Sequence, residues 1–152
     1  MTAIRYVPGS LYLLDQRQLP AVVAWIELTT SAEVAAAIAA MVVRGAPAIA
    51  IAAGYGLALA QRRGEELDAA AVRLASARPT AVNLRWAVER LRREADIEAA
   101  AMALHEDDVR VNRRLGEHGA ALLAGGVLTI CNTGALATGG HGTALGIVRS
   151  AL

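Results

Sequence analysis

The chain has 152 residues, of which 55% are hydrophobic and 19% are charged; it is therefore not disordered and can form one domain, or one domain and part of another. Its net charge is +1 and its arginines over 85–114 alternate with acidic residues, so it lacks the basic stripe of a nucleic-acid-binding protein. The single cysteine excludes an internal disulfide, and the most apolar region, 34–60, is too often interrupted to span a membrane.

The first thirty residues predict a small antiparallel sheet. Three short apolar runs, at 4–7, 11–14 and 22–28, are separated by the Pro8-Gly9 turn and by a polar connection. Short apolar runs that alternate with turn residues are typical of a β-meander.

Helical patterns occupy the middle of the chain. Thr30 or Ser31 can cap the first helix, Pro47 suits the opening turn of the second, and Thr80 is a candidate cap for the fourth. The second helix is apolar on nearly all sides, which indicates that it is buried. The predicted helices span residues 31–43, 47–63, 67–77, 81–96 and 97–124, the last in one or two pieces.

The final segment predicts a buried strand over 127–130, a loop, and a helix from 142 to 152. The expected fold class is α+β. A small N-terminal antiparallel sheet and a helical bundle make up residues 1–125, and residues 126–152 form the first βα unit of a truncated Rossmann-like domain. A parallel strand needs neighbouring strands on its edges, so we expect this chain to be the N-terminal portion of a longer protein.

Three loops carry the candidate chemistry, and each precedes a predicted helix. The first is Arg44-Gly45-Ala46, the second begins at Arg78, and the third follows Cys131. If these loops converge, their arginines and free amides would form a small anion site beside a thiol.

Each of these residues also has a structural interpretation. The Arg44 loop can be a simple connection between helices, Arg78 a surface residue, and Cys131 an inert buried thiol. The histidines show no metal-ligand spacing, so no metal site is expected. Of these, His105 and His118 should be solvated on polar helix faces, and His141 should be structural.

Three motifs resemble one known family over essentially the whole chain. They read VRGAPAI at 43–49, RPTAVNL at 78–84 and CNTGALAT at 131–138. The shorter matches LDQ at 14–16 and LP at 19–20 resemble the family's opening. The chain is therefore similar to the methylthioribose-1-phosphate isomerases, which are related to the regulatory subunits of translation initiation factor 2B.

The resemblance implies an aldose–ketose isomerase of methionine salvage that converts 5-methylthioribose 1-phosphate to 5-methylthioribulose 1-phosphate. It assigns substrate binding to Arg44, Gly45, Ala46 and Arg78, and a catalytic role to Cys131. It implies no cofactor, a small sugar-phosphate as the partner, and a homodimer at full length. The family's catalytic aspartate lies beyond residue 152, so residues 1–152 alone are expected to be inactive. The first residues lack the order of a signal peptide, so a cytoplasmic protein is expected.

The chain departs from the family pattern at two positions. Ile130 precedes the cysteine where the family usually has histidine, and Ala50 follows RGAPAI where it usually has glycine. Two other functions remain open. One is a related sugar-phosphate isomerase of the ribose-1,5-bisphosphate type, and the other is a non-catalytic subunit like the translation-factor relatives.

Overall fold

A computed structural model describes residues 2–152. The chain begins with three strands, forms five helices, and closes with a single 3₁₀ turn and a sixth helix. The strands are β1 Ile4–Val7, β2 Ser10–Leu14 and β3 Trp25–Leu28. The helices are α1 Ser31–Ala39, α2 Ala46–Arg63, α3 Leu67–Ser76, α4 Val82–Leu91, α5 Ile97–Ala120 and α6 Ala144–Ala151, with the 3₁₀ turn at Ala135–Ala137.

The predicted antiparallel sheet is confirmed, with strand order β1-β2-β3. Tyr6 pairs with Leu11 across the first turn, and Leu13 pairs with Ile26 in the next ladder. Leu11 and Leu13 are fully buried, because alternate residues of β2 point toward the helices. The α+β class expected from the sequence is therefore the observed one.

Helix α2 is the centre of the molecule, as its apolar sequence predicts. It is buried from Ala48 to Ala60 and contacts the helices α1, α3, α4 and α5. Hydrophobic burial on all sides holds this helix in place, so its N-terminus is a fixed point on which a site can be built. No helix within residues 2–152 combines the length and apolarity needed to cross a membrane.

Several helix boundaries differ from their predictions. Helix α1 is capped by Thr30, one of the two expected caps, in a capping box with Glu33, but it ends at Ala39 rather than 43. Met41 takes a left-handed conformation (φ 59°), which stops the helix. The predicted Thr80 cap is wrong, because a turn closed by the Ala81 amide on the Arg78 carbonyl (2.9 Å) occupies that stretch.

The helix predicted over 81–96 is also shorter, since α4 ends at Leu91 and Asp96 caps α5 instead. The Asp96 carboxylate accepts the amide of Ala99 (2.9 Å). A cap residue has non-helical backbone angles, so Asp96 separates the two helices.

The strand predicted at 127–130 is wrong. No strand forms there, and the side chains of Leu128 and Ile130 are 98% and 89% exposed. Within residues 2–152 the antiparallel sheet is the only one, and none of its strands pairs with this segment. Extended backbone without a hydrogen-bonded neighbour does not become a strand, however apolar its sequence.

Helix α6 packs against α5 at two glycines of α5, Gly116 and Gly119. A Cβ on Gly119 would lie 2.7 Å from Ile147 Cγ2, so the helices approach closely at this point. His141 Nε2 lies 3.0 Å from Ser150 Oγ. This contact joins the loop before α6 to the last turn of that helix. This packing brings the preceding loop, 131–143, back to the helical body.

A buried carboxylate supports the connection after β2 and yields a test of stability. Asp15 is fully buried, and its carboxylate accepts Arg17 Nε and Nη2 and Gln18 Nε2, all at 2.8 Å. Hydrogen bonding from Arg17 holds the pKa of Asp15 well below its usual range. The Asp15→Asn variant should therefore unfold about 2 kcal/mol more easily at pH 7, because charged hydrogen bonds are lost.

This difference should depend on pH. A carboxyl group whose pKa is lowered by folding stabilises the protein above its unfolded-state pKa of about 4, and this contribution is lost progressively as the pH falls from there toward the lower folded-state pKa. Urea unfolding at pH 7, 5 and 3 measures the effect. The exposed pair Asp107–Arg110 supplies the control, and Asp107→Asn should change little. An Asp15→Asn difference that grows on acidification would contradict the assignment.

Candidate active site

The three loops identified in the sequence converge on one cleft of about 530 Å³. Residues from the α1–α2 connection, the start of α2, the α3–α4 connection and the loop 131–143 line it. All five site residues expected from the sequence are among them: Arg44, Gly45, Ala46, Arg78 and Cys131.

The start of α2 forms the floor of the cleft. Gly45 has φ 105°, and an added Cβ there would lie 2.5 Å from Ala137 Cα, so the third loop packs directly on its backbone. The first helical bond runs from Ile49 N to the Gly45 carbonyl (2.9 Å). The amides of Ala46 and Ala48 precede that bond and lie outside the helical ladder, and such amides attract anions.

The charges that line the cleft are all positive. Arg44 is exposed and Arg78 is half-buried, and neither forms an ion pair with an acid within residues 2–152. Among residues 2–152, no acidic side chain lines the cleft. The N-terminal residues of α2 and Thr143, which caps α6, add the positive ends of two helix dipoles. The arrangement suits a phosphate ester, which guanidinium groups bind with paired hydrogen bonds.

Cys131 is exposed at the edge of this cleft. The interpretation of Cys131 as a buried thiol is therefore wrong, because the strand that would have buried it does not form. Its φ of 75° is rare for a residue with a side chain and costs about 1–3 kcal/mol in typical cases. The surrounding loop holds this residue in a strained conformation.

Three threonines for which the sequence predicted no role organise the loop, one through its hydroxyl group and two through their backbone. Thr138 is buried, and its Oγ1 accepts the amides of Gly140 (3.2 Å) and Gly142 (3.1 Å). The amide of Thr143 donates to the carbonyl of Thr133 (2.9 Å), which closes the loop on itself. The signal in the sequence is the spacing of threonines around the glycine-rich turn.

Residues far away in the chain hold the loop from outside. Gln16 Nε2 donates to the carbonyl of Leu136 (2.9 Å). His105 contacts Tyr55 and Gly139 through its two ring nitrogens, so its predicted solvation is wrong. Burial of the loop against α5 replaces solvent around this imidazole. His118, by contrast, is exposed as predicted. Across residues 2–152, no cluster of His, Cys, Asp and Glu side chains has the arrangement of a metal site.

The fold and the cleft define an α+β protein with a cationic cleft that carries the single cysteine of the chain. The sequence profile of the Initiation factor 2 subunit family matches residues 42–152, and the chain belongs to this family.

Two curated relatives similar to this chain carry the same name. The methylthioribose-1-phosphate isomerase of Alkalilimnicola ehrlichii is 53% identical, with 98% of this chain and 49% of that protein aligned. The enzyme of that name from Methylococcus capsulatus is also 53% identical, over 97% of this chain and 48% of its own length. The chain thus spans about half the length of the curated relatives it matches.

Two solved structures share the fold. The 5-methylthioribose 1-phosphate isomerase of Pyrococcus horikoshii superposes with a TM-score of 0.87 at 36% identity, covering 97% of this chain and 48% of that one. The translation initiation factor eIF-2B subunit delta of A. fulgidus gives 0.81 at 43% identity, covering 99% and 51%. Both identities exceed the level at which only the fold is shared.

Proposed function

We propose that this chain supplies the N-terminal half of an aldose–ketose isomerase that converts 5-methylthioribose 1-phosphate to 5-methylthioribulose 1-phosphate in methionine salvage. The observation that carries this proposal is the convergence of Arg44, Arg78 and Cys131 on one cleft. The isomerases of that name that are 53% identical over nearly the whole chain support it.

The chemistry of the substrate explains the need for these groups. The phosphate on C1 locks the sugar as a closed ring, so the bond from C1 to the ring oxygen must break before hydrogen moves from C2 to C1. In this proposal Arg44, Arg78 and the amides at the start of α2 bind the phosphate ester and hold C1 in the cleft. The thiol of Cys131 lies beside them and stabilises the transition state. The product is an isomer, so no oxidant or reductant is consumed.

The proposal divides the activity between two halves of the protein. The family's acid–base aspartate is expected outside residues 1–152, so these residues should bind the substrate without converting it. We test this by calorimetry with 5-methylthioribose 1-phosphate and by a turnover assay on the 152-residue chain. The same assay is then run on this chain joined to the C-terminal half of the Alkalilimnicola ehrlichii relative.

The two assays separate the parts of the proposal. Binding without turnover by the chain, and turnover by the joined protein, is the expected result. Turnover by residues 1–152 alone would contradict the division of labour. A folded joined protein that leaves the substrate unchanged would contradict the isomerase function itself. Sedimentation of the joined protein tests the expected homodimer. The boundary near residue 125 and the cytoplasmic location stay predictions.

A non-catalytic regulatory subunit is the second candidate, since the A. fulgidus translation-factor subunit has the same fold. A regulatory protein does not need a strained, exposed thiol beside two arginines without acidic partners, and this favours the isomerase. A substrate panel that includes ribose 1,5-bisphosphate distinguishes the methylthioribose enzyme from the related sugar-phosphate isomerase.

A further inference from the structure

A histidine outside the cleft binds the backbone of Gly139, the residue that directly follows the cleft-lining part of the loop 131–143. His105 lies on α5, with Nε2 2.8 Å from the carbonyl of Gly139 and Nδ1 2.9 Å from the hydroxyl of Tyr55. A carbonyl oxygen only accepts hydrogen bonds, so Nε2 carries the proton. Of the two neutral tautomers, only the one with Nε2–H satisfies both contacts, and its Nδ1 then accepts the hydrogen bond of the tyrosine hydroxyl.

Tyr55 is a rigid donor for this arrangement. Its side chain is buried and its ring stacks on Tyr6, with 4.3 Å between the centroids and 10° between the planes. Burial, and next the negative charge of Glu106, raise the pKa of Tyr55 above its ordinary value, so the hydroxyl keeps its proton. Tyr6 is itself fixed by a 3.0 Å hydrogen bond to Glu98. The stacked tyrosine rings therefore restrict the orientation of the His105 imidazole.

A second side chain of α5 binds the other polar group of Gly139. Asp108, three residues after His105, accepts the Gly139 amide at its Oδ2 (2.6 Å). A Cβ on Gly139 would lie 2.8 Å from His105 Cδ2 and 2.9 Å from Asp108 Oδ2, so a side chain there would collide with both. The two α5 side chains therefore bind both backbone polar groups of one residue, the N–H and the C=O of Gly139.

The clamped residue directly follows two residues of the cleft wall. Ala137 and Thr138 line the cleft and immediately precede Gly139. Thr138 in turn accepts the amides of Gly140 and Gly142. Displacement of Gly139 from α5 would shift Thr138 and the contact of Ala137 with Gly45, and both belong to the anion site.

We propose that His105, as an Nε2–H donor acting with Asp108, is a positioning residue that clamps Gly139 to α5 and thereby holds the loop 131–143 against the start of α2. The role in positioning stands on the hydrogen bonds alone, and its consequence for sugar-phosphate affinity rests on the proposed function. His105 touches no substrate and acts through Gly139 and Thr138.

The test uses three variants of the 152-residue chain and one control. His105→Leu removes both bonds, His105→Gln keeps a donor for the Gly139 carbonyl, and Tyr55→Phe removes the donor to Nδ1. His118→Leu changes an exposed histidine of the same helix and should behave as wild type. Long-range ¹H–¹⁵N spectra report the tautomer, amide exchange reports the Gly140 and Gly142 bonds, and calorimetry reports affinity for 5-methylthioribose 1-phosphate.

The wild type should show a fixed Nε2–H tautomer for His105, and Tyr55→Phe should keep the Nε2 proton, because the Gly139 carbonyl selects it, while the Nδ1 signal should shift with the loss of its hydrogen bond. Exchange of the Gly140 and Gly142 amides should rise about tenfold in His105→Leu, as expected for the loss of about two hydrogen bonds, and less in His105→Gln. Affinity should fall in the same order, and thiol labelling of Cys131 should report the altered loop in His105→Leu.

An Nδ1–H tautomer, or wild-type exchange in all three variants, would overturn the proposal. If His105→Leu does not fold, His105→Gln and Tyr55→Phe still decide the question. If wild type fails to bind the sugar phosphate while the exchange order holds, the proposed function is wrong and the positioning role stands.

Discussion

The Gly45→Ala substitution is expected to disrupt the cleft. Its new Cβ would lie 2.5 Å from Ala137 Cα and 2.6 Å from Ala137 Cβ, and the backbone angle there (φ 105°) disfavours any side chain. Either the loop 131–143 moves away or the start of α2 unwinds. Strain and overpacking together should lower the free energy of unfolding by about 3 kcal/mol. Binding of 5-methylthioribose 1-phosphate should become undetectable in calorimetry.

The opposite end of the same helix offers a matched control. Gly64 also has a positive φ (68°), but an added Cβ there meets nothing within 4 Å. Gly64→Ala should therefore cost only the left-handed backbone penalty, about 1 kcal/mol, and should leave binding intact. Urea unfolding and calorimetry of both variants separate the collision from the backbone strain. Equal effects in the two would show that the contact between Gly45 and Ala137 is unimportant.

The Arg44→Ala and Arg78→Ala variants should lose affinity without losing stability. Neither arginine has an ion pair or a side-chain hydrogen bond within residues 2–152, so their removal leaves no buried group unsatisfied. A charged hydrogen bond to phosphate contributes about 1.5–3 kcal/mol, so each variant should bind the sugar phosphate about 10- to 100-fold more weakly. In the joined protein kcat/KM should fall at least as much.

Conservative and distant variants sharpen this test. Arg44→Lys keeps the charge but not the planar pair of donors, so its affinity should lie between those of wild type and Arg44→Ala. Arg63, at the far end of α2, is exposed, and Arg63→Ala should bind as wild type. Similar losses in Arg44→Ala and Arg63→Ala would mean that only the overall charge matters, which would argue against a built phosphate site.

Much of the fold could be predicted because its causes are local. The capping box of Thr30 and Glu33 starts α1, and the continuous apolar pattern of α2 requires burial on all sides. The boundaries that were wrong depend on single backbone conformations. Met41 in a left-handed conformation ends α1, and the turn at Arg78 displaces the Thr80 cap. Such choices depend on neighbours that a local pattern does not contain.

The strand expected at 127–130 shows the limit of apolarity as a signal. Its residues have the composition of a buried strand, but Leu128 and Ile130 are exposed because no strand pairs with this segment within residues 2–152. The assignment of His105 to solvent is wrong for the opposite reason. A polar residue on a helix face looks solvated until a loop from another part of the chain, here Gly139, packs on it.

The sequence by itself determined the residue types of the site, their order, and the family in which three motifs occur together. Only the tertiary structure decided that Arg44, Arg78 and Cys131 share one cleft, that the thiol is exposed, and that His105 and Gln16 hold the loop. The physical reason is the distance along the chain. A helix cap joins residues three apart, whereas the bond from Gln16 to Leu136 joins residues 120 apart and forms only when the whole core has packed.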